Sequence, residues 1–415
     1  MASGWRTAIE PLSIRQFRRV FLSNFVFFMA MGGQSIVRPW LAFQLTDSAF
    51  ALGLVSAAIA VPMLVLAPLG GVLADRIERR NLILFSQASA MLSELAILGL
   101  LLVDRLEFWH LIVSAGLMGC TFPLSMPARQ AIVMNIVGRR SLGGAVALNM
   151  AGTNVTRVVG PAMAGFLIPI IAVEGVYMLN LGLYGLAMLA MVRVARVSPP
   201  VEARASSITA SMVAGFSYVR TNKLVLIMLV YGLVPMFLAM PVQTLLVVFS
   251  EEVWLMGSEG LGILHAASGV GAVVGSIYVA TRSPEAGRIR MMMTSVILYG
   301  GLLVAFAGSP WFWPAVALIF FGNLAASIFG TLNNTAIQLL IPDHVRGRIS
   351  SFLMMSFSLP LLGTLPVSAA AERFGAPLAV GVSSILAISA AVIFYLASRQ
   401  LRDLDAHIQH SMSQI

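Results

Sequence analysis

The chain has 415 residues, of which 59% are hydrophobic and 10% charged, with 26 Lys+Arg against 17 Asp+Glu and a net charge of +9. A soluble domain carries about a quarter charged residues, so this composition excludes an ordinary water-facing surface and sets apolar side chains against lipid. The basic residues fall in short gaps between apolar stretches, which points to membrane topology and away from nucleic-acid binding.

A bilayer crossing by a helix needs about twenty mostly apolar residues. Such stretches predict spans near 18–44, 51–74, 82–103, 108–128, 143–171 and 175–195, then near 223–249, 260–281, 291–308, 313–336, 349–371 and 377–398. Arg15, Arg18 and Arg19 precede the first of these. That run continues without a small-residue cleavage site, so it reads as a retained helix rather than a signal peptide. Basic residues cluster on one side: Arg76, Arg79 and Arg80, Arg129, Arg139 and Arg140, Arg282, Arg288 and Arg290, and Arg346 and Arg348 alternate with gaps holding only Arg38, Arg105 and Arg373. The positive-inside rule then puts both termini in the cytoplasm.

The longest polar stretch, 196–222, contains Pro199 and Pro200 and reads as a cytoplasmic linker between halves 1–195 and 223–415. Leu52-Gly53-Leu54 echoes Leu261-Gly262-Ile263 at an offset of 209, and the same offset sets Arg79 on Arg288. Two six-helix repeats follow from this.

Several chemistries are excluded. Cys120 is the single cysteine, which rules out an intrachain disulfide and a cysteine metal site. The five histidines are scattered, and Lys223 follows no glycine-rich loop, so no metal, nucleotide or other cofactor is expected. No cluster of His, Asp or Ser-base pairs occurs within the spans, so the chain is not read as an enzyme.

Three ionisable residues lie inside predicted spans: Arg38, Glu94 and Arg157. Charges at that depth are expensive and are functional suspects. Glu94, midway along the third span, reads as a carrier of a coupling proton. The alternative pairs it with Arg157, at similar depth in the fifth span, as a structural bridge. Arg38 either meets a substrate anion or snorkels to the outer headgroups.

The loop after the second span runs Gly70-Gly71-Val72-Leu73-Ala74-Asp75-Arg76-Ile77-Glu78-Arg79-Arg80. Gly71 permits close helix approach, and Asp75, Glu78 and Arg79 are candidates for a charge latch that opens during a transport cycle. The simpler reading is a basic loop that fixes topology.

The spacing of Gly71, Asp75 and Arg79 resembles the loop signature of the major facilitator superfamily, and the resemblance extends over the whole chain. Pro39-Trp40-Leu41, Leu45-Thr46-Asp47-Ser48, Pro127-Ala128-Arg129-Gln130 and Val345-Arg346-Gly347-Arg348 resemble the branch of siderophore exporters and macrolide efflux proteins. Gly152, Gly160, Pro161 and Gly165 resemble the antiporter signature of facilitator-type exporters, with Thr156 and Ala164 where glycines are usual. The resemblance implies an all-α membrane protein of twelve transmembrane helices in two pseudo-symmetric halves. It further implies a substrate cavity lined by the first, fourth, seventh and tenth spans. Candidates there are Gln34, Arg38, Phe122, Ser125, Tyr231, Phe237, Gln243, Asn323 and Asn333. A mostly apolar lining with a few polar groups suits an amphipathic molecule. The expectation is an inner-membrane exporter of a drug or siderophore by proton antiport, working as a monomer, with an importer, symporter or uncoupled carrier as the alternative.

Overall fold

The computed structural model describes residues 10–196, 217, 220–282, 287–341, 343–406 and 408. At residues 68, 71, 72, 74, 75, 139, 140 and 343–357 it describes the backbone alone. The described residues are helical throughout, with no strand. The expected linker 196–222 lies almost wholly outside them.

The first helices are α1 (Arg15–Thr46), α2 (Ala49–Arg76) and α3 (Arg79–Leu102). A long stretch, Phe108–Val192, has non-helical backbone at Gly138 and Ala172, and so resolves into α4 (Phe108–Gly138), α5 (141–171) and α6 (173–192). After α7 (Lys223–Ala239) come α8 (Val242–Val248) and a π-helical turn at Phe249–Val253. Then follow α9 (Gly257–Thr281), α10 (Arg288–Ala307), α11 (Phe312–Leu340), α12 (Asp343–Phe374), α13 (Ala376–Ala397) and the short α14 (Arg399–Arg402).

The turns fall where residue type allows a left-handed backbone. Asp47, Asp104, Gly138, Gly287 and Gly375 all have positive φ, and Asp and Gly tolerate that region best. Ala172, with φ 59°, and Leu255, with φ 53°, are the exceptions. The turn at Ala172 divides a segment of 52 residues, which at 1.5 Å per residue is roughly twice the length one crossing needs.

Ten segments of the described residues are long and apolar enough to span a bilayer, against twelve expected. Two observations bear on the difference. One segment is that 52-residue stretch bent back at Ala172. Another helix, α12, has 32 residues and lies partly among residues described by backbone alone. Many large apolar side chains face outward, among them Ile170, Leu95, Ile277 and Leu386, as lipid contact requires.

The chain separates into two compact units, Met1–Thr46 with Ala58–Ile208, and Asp47–Ala57 with Thr209–Ile415. This differs from a division at the linker in that the start of α2 groups with the second unit. There the Glu372 carboxylate accepts from Ser48 Oγ and from the Phe50 N–H, both at 3.1 Å.

Within the first unit, Phe17, Leu82, Ile83, Ile132, Val137 and Met191 form one packed core, and Val26, Phe27, Ala30, Tyr184 and Ala187 another. The second unit packs Met228, Tyr231, Met292, Phe329 and Leu332 with Leu401, Leu404 and Ile408 from the end of the described chain. In that tail Asp405 takes the Gly287 and Arg288 N–H groups at 2.8 and 3.2 Å, satisfying free donors at the start of α10. In lipid, helices associate through close packing rather than a hydrophobic drive. A Cβ on Gly160 of α5 would stand 2.7 Å from the Met29 carbonyl and 3.0 Å from Gly32 on α1. In the second unit a Cβ on Gly363 of α12 would collide with the Phe237 carbonyl of α7.

Candidate functional site

Polar side chains of the first unit converge from α1, α3 and α4. Gln34 and Arg38 are four residues apart on α1 and share a face. Ser114, Met118 and Phe122 follow the same spacing on α4. Glu94 enters from α3, only 4% exposed. Gln34 Nε2 donates to Glu94 Oε2 at 2.6 Å, a short hydrogen bond. Arg38 lies beyond it: Nη2 reaches Ser114 Oγ at 3.4 Å and Nη1 points to Met118 Sδ at 3.3 Å. Ser93 Oγ donates to Ser114 Oγ at 2.8 Å.

These groups surround a cavity of about 20 Å³, lined by Phe27, Met31, Arg38, Ser93, Glu94, Ser114, Phe122 and Tyr184 among others. It holds about one water. Gln34 Oε1 and Arg38 Nε are buried without a hydrogen-bond partner, and a water there would serve such groups.

Glu94 and Arg157, weighed above as a pair, do not meet. Arg157 stands on the exposed face of α5 and makes no ion pair with Glu94 among the described residues. Position along a helix set them at like depth; rotation about the axis separates them. Arg38, for which snorkelling was the alternative, is 6% exposed and turned into the unit.

A second polar centre lies on the far side of Phe27. Arg129 of α4 is 3% exposed. Its Nη1 donates to Asn24 Oδ1 at 2.7 Å. Asn24 Nδ2 in turn donates to Asn149 Oδ1 at 3.3 Å. The guanidinium carbon sits 4.0 Å from the centre of the Phe27 ring and 5.7 Å from that of Phe28, within cation–π range. The sequence reading set Arg129 in a cytoplasmic loop after a span ending at 128. The structure carries α4 on to Gly138 and buries Arg129 inside it. The signal was available: Ala131-Ile132-Val133-Met134 resumes the apolar pattern.

The other sequence candidates scatter. Ser125 is fully buried and bonds back to the Phe122 carbonyl, as a packed helix residue does. In the second unit Gln243 Nε2 donates to Asn323 Oδ1 at 3.0 Å, and Asn333 packs on Gly232. Tyr231 is fully buried, with its hydroxyl 2.9 Å from Met293 Sδ and its ring edge-on to Phe329; it belongs to the core. Phe237 is partly buried. Of the antiporter-like residues, Gly152 meets the Phe21 ring, Gly160 meets α1, and Pro161 and Gly165 are buried. Of the latch residues, Arg79 is buried and Glu78 precedes α3 without capping it through its side chain. Gly71 and Asp75 are described by their backbone alone. No group of three or more His, Cys, Asp or Glu gathers among the described residues to hold a metal.

Comparison with known proteins bears on this arrangement. Residues 6–414 match the family described as transmembrane secretion effector. The chain is 25% identical to a staphyloferrin A transporter of Staphylococcus aureus, covering 92% of this chain and 96% of that one. It is 28% identical to the enterobactin exporter of Shigella boydii, covering 90% and 91%. Among solved structures it is similar in fold to a nucleoside transporter, with a TM-score of 0.75 at 13% identity, over 92% of this chain and all of that one. It is also similar to a bacterial homologue of the human lysosomal transporter Spinster, with a TM-score of 0.71 at 13% identity, over 95% and 97%. The chain belongs to the transmembrane secretion effector family of the major facilitator superfamily, and is a multi-pass membrane transporter of small molecules rather than an enzyme.

Proposed function

We propose that this chain exports an amphipathic small molecule of the siderophore class by proton antiport, as a monomer with both termini in the cytoplasm, and that Glu94 carries the coupling proton. The observation that carries the coupling step is the placement of Glu94: buried within α3, held by Gln34 and, among the described residues, in no salt bridge to an arginine, with Arg38 on the lining of the same cavity. A carboxyl group so placed takes up and releases a proton with a guanidinium near enough to steady its charge and no bridge to lock it. Gln34 links it to α1, so a change of charge on α3 is felt by a helix on which α5 is tightly packed at Gly160. Gly152, Gly160, Pro161 and Gly165 then keep α1 and α5 moving together, and Asp75, Glu78 and Arg79 latch one state. The siderophore class is supported by the two relatives, whose names specify staphyloferrin A and enterobactin.

The test uses inside-out vesicles energised by respiration and probed with a panel of siderophores, antibiotics and dyes. A compound that collapses the pH gradient only when the protein is present, and not with Glu94→Gln, is the expected result. Collapse that survives Glu94→Gln removes Glu94 from the coupling. Uptake of label with no proton flux turns the reading to an uncoupled carrier, and loss of label from preloaded vesicles turns it to an importer.

A further inference from the structure

Arg129 has no part in the coupling step above, yet it is the more unusual charge. A buried guanidinium needs a counterion or a full set of acceptors. Among the described residues Arg129 has one hydrogen-bond acceptor, Asn24 Oδ1, and two aromatic rings. Nε and Nη2 are buried and without partners.

Which nitrogens are free matters. Nε–H and one N–H of Nη2 point the same way along one edge of the guanidinium. That edge is a fork which takes the two oxygens of a carboxylate side by side. Nη1, on the opposite side, is the nitrogen held by Asn24, and Asn24 is itself steadied by Asn149. Phe27 covers the flat face at 4.0 Å. The charge is thus oriented by three helices with its carboxylate-binding edge unused. A lysine would satisfy neither the stacking nor the paired geometry.

We infer that Arg129 is an anion-binding residue whose Nε/Nη2 edge takes a carboxylate of the transported molecule. The inference rests on the transporter reading and deepens it by naming a chemical group on the cargo. The edge is covered in this conformation, so the carboxylate reaches it by displacing the side chains around it. Lysine in place of Arg129 keeps the charge and loses the fork. Glutamine loses both.

The experiment measures binding to the full-length protein in phosphatidylcholine nanodiscs, with no gradient, by calorimetry. The probes are 2-naphthoate and adipate, each beside its methyl ester, which keeps the shape and removes the charge. Acids are expected to bind the wild type at least tenfold more tightly than their esters. Arg129→Lys is expected to lose most of that ratio, and Arg129→Gln all of it. Both variants are checked by size-exclusion profile; if Arg129→Gln does not fold, Arg129→Lys decides. Equal binding of acid and ester to the wild type, binding of neither, or an acid preference that survives Arg129→Lys overturns the inference. Loss of the acid preference on adding phosphatidylglycerol to the nanodiscs, with the wild type only, assigns the edge to a lipid headgroup and also overturns it. Glu94→Gln is expected to keep the acid preference while losing proton coupling, so the two readings fail separately.

Discussion

The two units solve the same packing problem and differ in what they bury. Each brings its first and fifth helices together across a glycine, at Gly160 on α1 and at Gly363 on α7. At the level of backbone contact they are alike. Their interiors are not. The first unit buries Arg38, Glu94 and Arg129 among its helices. At mid-helix the second unit buries Tyr231 against Met293 and Phe329, and among its described residues the one buried arginine, Arg288, stands at the start of α10 beside the Asp405 cap. A duplicated scaffold therefore need not duplicate chemistry. At mid-helix one unit buries charges, and the other, among its described residues, buries neutral side chains.

This contrast is open to direct attack, beginning with the largest effect. Glu94→Gln is expected to reduce gradient-driven efflux at least tenfold at unchanged expression, whereas Tyr231→Phe, in the other interior, leaves efflux within about twofold, since the hydroxyl contributes one ordinary bond. Comparable losses from both would erase the distinction. Next is Gln34→Leu, which keeps the side-chain bulk and removes the donor to Glu94. It should cost several-fold in coupled efflux while substrate binding is retained, and a fluorescence-quench assay beside a binding isotherm separates the two. The packing positions should respond alike in both units: Gly160→Val and Gly363→Val each drive a branched side chain against a carbonyl and should each lose about 1–3 kcal/mol, seen as a lower midpoint in thermal unfolding of detergent-solubilised protein. A cost in one unit only would show that the helix crossings are not equivalent. The smallest effect is at Arg399 and Asp403, an exposed pair at 3.6 Å. Asp403→Asn should leave midpoint and efflux unchanged, because water screens such pairs.

How much of this could be read beforehand depends on the kind of information each residue carries. The spans were legible because lipid imposes composition on every residue that touches it. That Glu94 is buried was legible because an acid in an apolar run is costly unless turned inward, whereas its role, carrier or structural bridge, was left open. Its partner was not legible. Depth along a helix follows from counting residues, whereas the direction a side chain faces depends on how the helix is rotated in its bundle, so Arg157 was the wrong neighbour and Gln34 the right one. Arg129 was misplaced for a different reason: a charge was taken to mark the end of a span, although the apolar pattern continued past it to Gly138. Tyr231 was named for the cavity by its aromatic type and its span, and neither of these carries the packing against Met293 and Phe329 that the structure describes.

Asp405 and its neighbours carry a consequence for how the molecule is made. Membrane helices are delivered in chain order. The first unit has its closing partners early: Ala195 N–H already donates to Gln16 Oε1, and Arg19 to the Arg193 carbonyl. The second unit waits. Leu401, Leu404 and Ile408 fill a core begun at Val225, and Asp405 caps a helix that starts more than a hundred residues earlier. A ribosome stalled just after α13 would leave that unit with an open apolar seam and a bare helix start, a ready target for membrane proteases. Chains cut before residue 399 are therefore expected to be short-lived in pulse-chase labelling even though every span has been inserted.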